Sequence, residues 1–85
     1  MSVIYQIVYN GERFDIVVSP DGNEYFYQVV YSGNIEGSDS DVNFNTILDA
    51  IYAAIDEICT GDEPNKIILK RDIKLDEILN YETRS

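Results

Sequence analysis

An α+β sandwich of two layers, an antiparallel sheet with one main helix across it, is the fold that this 85-residue sequence predicts. Three features predict it. An alternating stretch at 3–9 meets an Asn-Gly turn, a strand-rich run follows at 24–31, and one strong amphipathic pattern occupies about 43–60. Strands followed by a helix that can lie on their apolar face make such a two-layer domain. At this length a chain buries roughly 60–65% of its unfolded surface, which suits one domain spanning residues 1–85 with a modest core.

In the first segment Val3, Tyr5, Ile7 and Tyr9 share one face, and Ile4, Gln6 and Val8 the other. Asn10-Gly11 is a strong hairpin signal, because a type I′ turn needs positive φ at both central positions. A two-residue turn pairs Tyr9 with Glu12, Ile7 with Phe14, Tyr5 with Ile16 and Val3 with Val18, apolar facing apolar in all but the first. The second strand, about 12–18, is expected to stop at the turn signal Ser19-Pro20-Asp21-Gly22-Asn23. Residues 24–31 suit a pleated sheet. A four-residue loop places Tyr25, Tyr27, Val29 and Tyr31 on the face of Phe14 and Ile16; a three-residue loop with a bulge places Phe26, Gln28 and Val30 there. The first register is preferred, because it keeps Gln28 off the core face.

Residues 32–41 read as a polar connection. In the helix, about 43–60, Phe44, Ile47, Leu48, Ile51, Ala54, Ile55 and Ile58 recur at three- and four-residue spacing. Asp41 or Asn43 is expected to cap its start and Gly61 to mark its end. Lys66 to Lys70 reads as a short fourth strand, giving the order β-β-β-α-β, and about 74–81 as a short C-terminal helix with Leu75, Ile78 and Leu79 inward. The sheet face away from the main helix carries Ile4, Val8, Val17, Phe26 and Val30. So large an apolar patch is expected to lie under the C-terminal segment or against a second copy, a homodimer being slightly favoured.

Charge is the other strong signal. Between Phe14 and Lys66 lie eleven carboxylates and no basic residue, so the formal charge of −10 belongs to the middle of the chain. Such a field repels nucleic acid and anionic membrane and attracts basic surfaces. Asp49 and Asp56, seven residues apart, project from one outer side of the helix, with Glu57 beside them. Asp56, Glu57, Asp62 and Glu63 crowd the helix's C-terminal end, where the dipole disfavours them. This array reads either as a solvated face that keeps the protein soluble or as a surface built to engage a basic partner, with Glu36, Asp39, Asp41, Asp62 and Glu63 flanking Asp49, Asp56 and Glu57.

Chemistry-bearing motifs are few. Asp39-Ser40-Asp41-Val42-Asn43 matches the first half of a calcium loop, but Phe44 stands where a Gly is required and Ala50 where a bidentate Glu is required. Pro20-Asp21 with Asp72-Ile73-Lys74 spells the pieces of a metal-dependent nuclease motif, fifty residues apart and in a field that repels its substrate. Cys59 is the lone cysteine, has acidic neighbours in sequence and reads as a small core residue. With no His, the usual general base is missing. No catalysis, cofactor or metal is expected. The absence of a signal peptide pattern, of an apolar span and of paired cysteines points to the cytoplasm.

In element order and acidity, though in no motif, the chain resembles antitoxins with a partial RNase H-like sheet and one helix. It also resembles small phage proteins that block restriction or CRISPR nucleases, often by imitating DNA charge. The first expectation is therefore an interaction protein that binds a basic, nucleic-acid-handling protein. The second is an antitoxin-like or housekeeping adaptor that recognises its partner through the apolar sheet face.

Overall fold

A computed structural model of the protein describes residues 2–31 and 37–73. Strands β1 (Val3–Tyr9), β2 (Glu12–Asp21), β3 (Glu24–Tyr31) and β4 (Gly37–Asp39) form one antiparallel sheet in the order β1-β2-β3-β4, followed by helices α1 (Ile47–Ile58) and α2 (Glu63–Arg71). The α+β class and its two layers stand as the sequence predicts.

The first hairpin has the predicted register, from Val3 opposite Val18 to Tyr9 opposite Glu12. Asn10 and Gly11 take the positive φ values, 53° and 76°, that a type I′ turn demands. Between β2 and β3, Asp21 pairs with Glu24, so the turn is only Gly22-Asn23 and β2 runs past Pro20. Pro20 is tolerated because the β1 pairing reaches only to Val18, and among the described residues no strand asks for the missing N–H. Phe14 lies opposite Tyr31, Ile16 opposite Val29 and Val18 opposite Tyr27, so Tyr27, Val29 and Tyr31 share the expected face, but the two-residue turn in place of the expected four-residue loop shifts the pairing by two residues.

Three further expectations are corrected. Residues 66–70 are not a strand but the middle of α2. Asp62 caps that helix, accepting from the Asn65 amide, and Pro64 sits in its first turn, where its lack of an N–H costs nothing. A strand does form inside the connection assigned to 32–41: Gly37, Ser38 and Asp39 pair with Val30, Val29 and Gln28. Helix α1 is shorter than 43–60, since Phe44 makes a two-bond bridge to Tyr25 and Thr46, not Asp41 or Asn43, is the N-cap. The expected helix at 74–81 and the residue Glu36 lie outside the described residues.

The core lies between α1 and the sheet. Ile16, Val18, Ile51, Ile55 and Cys59 are fully buried, and Val3, Ile7, Tyr27, Val29, Ile47, Ala50 and Ala54 close around them. The predicted stripe of α1 supplies the helical half. Ile73, just after α2, is buried in the same cluster and draws the second helix against the first. On the opposite face of the sheet, Ile4 and Val8 are 62% and 64% exposed, while Val17, Phe26 and Val30 are half-buried. Among the described residues no helix is long and apolar enough to cross a membrane.

Candidate acidic groove

The chain between β4 and α1 is laid along β3 rather than coiled on itself. The Ser40 amide donates to the Tyr27 carbonyl (2.9 Å) and the Ser40 hydroxyl accepts from the Tyr27 amide (3.1 Å). Tyr25 and Phe44 exchange backbone bonds of 2.8 and 2.7 Å, and the Asn43 side chain donates to Asp21 (2.9 Å). The helix then starts abruptly because Thr46 Oγ1 accepts from the Asp49 amide (3.0 Å), with the Asp49 carboxylate in the first turn, where the dipole favours it.

This arrangement opens a groove of about 480 Å³ between the start of β3 and the outer side of α1. Its walls carry three carboxylates, Glu24, Asp49 and Asp56, with Asn43 and Asn45 beside them and the rings of Phe44 and Tyr52 as apolar lining. Lys70 of α2 stands beside two of these lining residues. Its ammonium pairs with Asp56 at 2.7 Å and stands 5.7 Å from the Tyr52 ring centroid, within cation–π reach. The molecule thus seats one of its own cations between a carboxylate and an aromatic face.

The structure brings Asp49 and Asp56 together, as their spacing predicts, and adds Glu24, which sequence reasoning missed. Other acids of the expected array have structural partners. Glu57 accepts from the Tyr27 hydroxyl (2.9 Å) and from the Ser38 hydroxyl, tying α1 to β3 and β4. Burial and this bond push the Tyr27 phenol well above its ordinary range. Glu63 pairs with Lys66 at 3.1 Å, and Asp39 accepts from Gln28 at 3.0 Å. Asp41 is exposed beside the β3–β4 edge and does not line the groove. Asp62 and Glu63 also open α2, where negative charge is favoured.

Asp62 also accepts from the Tyr9 hydroxyl (2.8 Å) and from Asn65 Nδ2 (2.6 Å), so it joins α2 to the first hairpin. These donors, Asn65 first and then Tyr9, hold its carboxyl below the usual value of 3.8. A depressed folded-state value means that the unfolded chain binds the proton more readily. Asp62 therefore adds stability above about pH 4 and loses that contribution as the pH falls through its folded value. Thermal midpoints of wild type and Asp62→Asn, compared across acid pH, should converge below that range and separate above it. A constant gap from acid to neutral pH would contradict this.

No three His, Cys, Asp or Glu side chains among the described residues converge to hold a metal ion. Asp39, Ser40 and Asn43 of the half calcium loop turn to Gln28, Tyr27 and Asp21 respectively. Of the nuclease-like pieces, Asp21 sits at the β2–β3 turn and Asp72 caps the end of α2, while Lys74 lies outside the described residues. Cys59 is in the core, and burial pushes its thiol up, away from the reactive thiolate. No protein family, curated protein or solved structure matches the chain.

Proposed function

We propose that the protein is a cytoplasmic interaction module, not an enzyme, which inhibits a nucleic-acid-handling protein by seating that partner's lysine and arginine side chains in the acidic groove. The observation that carries this reading is Lys70, whose ammonium already pairs with Asp56 beside the Tyr52 ring, two residues that line the groove. A partner's cation meets the same chemistry further along, from Asp49 and Glu24, with Phe44 beneath. The charge of −10 extends the attraction beyond contact, which speeds encounter with a basic surface more than it strengthens the final complex. Asp41 and Asp39 at the β3–β4 edge add to this field without entering the groove. The reading includes imitation of DNA charge, as in anti-restriction or anti-CRISPR proteins.

Salt gives the test. Used as bait in lysate of the source cell, the protein should capture a basic nucleic-acid-binding protein at about 0.1 M salt, where charges act over about 10 Å. It should release that protein near 1 M, where they act over about 3 Å. Retention at both strengths would favour the second reading, an adaptor that docks through its apolar sheet face. That alternative has one observation behind it: Ile4 and Val8 stand mostly exposed.

A further inference from the structure

Strand β1 is an edge of the described sheet. Among the described residues no strand pairs with its free side, and edges of this length are usually blunted by charge, proline or a bulge. None of these is present. From Ser2 to Gly11 there is no charged residue and no proline, and β1 is the one described strand without a charge, in a chain of net charge −10.

The hairpin geometry decides which groups face outward. A two-residue turn closes on a hydrogen-bonded pair, here Tyr9 with Glu12, and such pairs alternate along an antiparallel ladder. Val3, Tyr5, Ile7 and Tyr9 therefore direct their backbone groups to β2. The N–H and C=O groups of Ile4, Gln6 and Val8 point to the open edge. The same three residues place their side chains on the sheet face away from α1, where Ile4 and Val8 are exposed.

We propose that β1 pairs with β1 of a second copy, antiparallel about a two-fold axis through Gln6, to form one continuous eight-stranded sheet. In that register Ile4 lies opposite Val8 of the second copy, Gln6 opposite Gln6, and Val8 opposite Ile4. All three are hydrogen-bonded pairs made from the outward groups, and the two most exposed apolar side chains of the sheet cover each other across the axis. The segment is complementary to itself in backbone and in side chains, which is what an isologous interface requires. It is also where two acidic copies meet with least repulsion. The acidic groove lies beside β3, across the sheet from this edge, and stays open in the pair.

Sedimentation equilibrium over a concentration series should show a 9.7 kDa monomer giving way to a dimer. The association should tighten with added salt, the opposite of binding to a basic partner. Hydrogen exchange at the amides of Ile4, Gln6 and Val8 should slow as the dimer fills, while exchange at their neighbours on β1 changes little. Gln6→Pro removes an outward N–H that β2 does not use, and Val8→Lys places a charge on an exposed site. Each should weaken dimerisation by at least about tenfold while leaving the far-UV circular dichroism unchanged. A monomer at every concentration would overturn the proposal. So would a dimer that survives both substitutions but is lost in Phe26→Asp, since the sheets would then be stacked by their faces.

Discussion

Replacing Asp49 and Asp56 together by Lys should lower affinity for a basic partner by about 100-fold, roughly 3 kcal/mol. Both carboxylates line the groove, and reversal turns two attractions into two repulsions. The ammonium introduced by Asp56→Lys would also face Lys70, which now pairs with Asp56, so the far end of the groove would become basic. Most of the loss should appear as a slower association rate at low salt and shrink as salt is added. Reversing Glu63, which lies outside the groove and is paired with Lys66, should cost less than about tenfold, since rim charges contribute mainly to encounter. The double variant should still fold, because the only described partner lost is the Lys70 pair, whose carboxylate is exposed, and surface pairs contribute about 1 kcal/mol or less. Surface plasmon resonance against the captured partner reads both rates. Equal losses in the two variants would mean that net charge, not the groove, does the binding.

Ile55→Ala should be the most damaging substitution to stability, at about 2–5 kcal/mol. Ile55 has no exposure and sits in the helical half of the core, between α1 and the sheet. Removing three carbons there loses their transfer energy and leaves a cavity that rigid sheet neighbours fill poorly. A chain of this size has only roughly 4–13 kcal/mol in total, so a large share is at stake. Ile67→Ala on α2, where the side chain is 53% exposed, should change stability by only about 0.5 kcal/mol. Urea unfolding of both variants makes the comparison. A loss below about 1 kcal/mol for Ile55→Ala would mean that α1 does not pack as described.

Sequence periodicity was informative wherever one face is buried and the turn is short. The first hairpin joins a two-residue period to an Asn-Gly turn, so its register admits one solution. The face of β3 followed from keeping Gln28 out of the core. The stripe of α1 was plain from Ile47 to Ile58. Strand β4 was hidden because Gly37, Ser38 and Asp39 have no strand preference of their own, and they pair only because β3 offers an edge. Helix α2 was misread for a different reason. A short apolar run such as Ile67-Ile68-Leu69 fits either state by pattern, and the deciding signal lay just before it, in Asp62 as cap and Pro64 in the first turn.

The candidate site divides along the same line. Asp49 and Asp56 share a helix face by spacing alone, so sequence could pair them. Glu24 joins them only through the Tyr25–Phe44 bridge, a contact between residues nineteen apart whose side chains announce nothing. Glu57 resembles any surface acid until Tyr27 and Ser38 are seen to hold it. Lys66 and Lys70 became relevant to the acids only once α2 was a helix lying against α1.

The claim that the groove is where a positive partner docks is tested most directly by adding a short arginine- and lysine-rich peptide to isotope-labelled protein and following its amide resonances. Saturable shifts should concentrate at Glu24, at residues 43–46 and along Asp49 to Asp56, and should fade as salt rises. Shifts spread evenly over acids remote from the groove, such as Glu12 and Glu63, or centred instead on Ile4 and Val8, would contradict the claim.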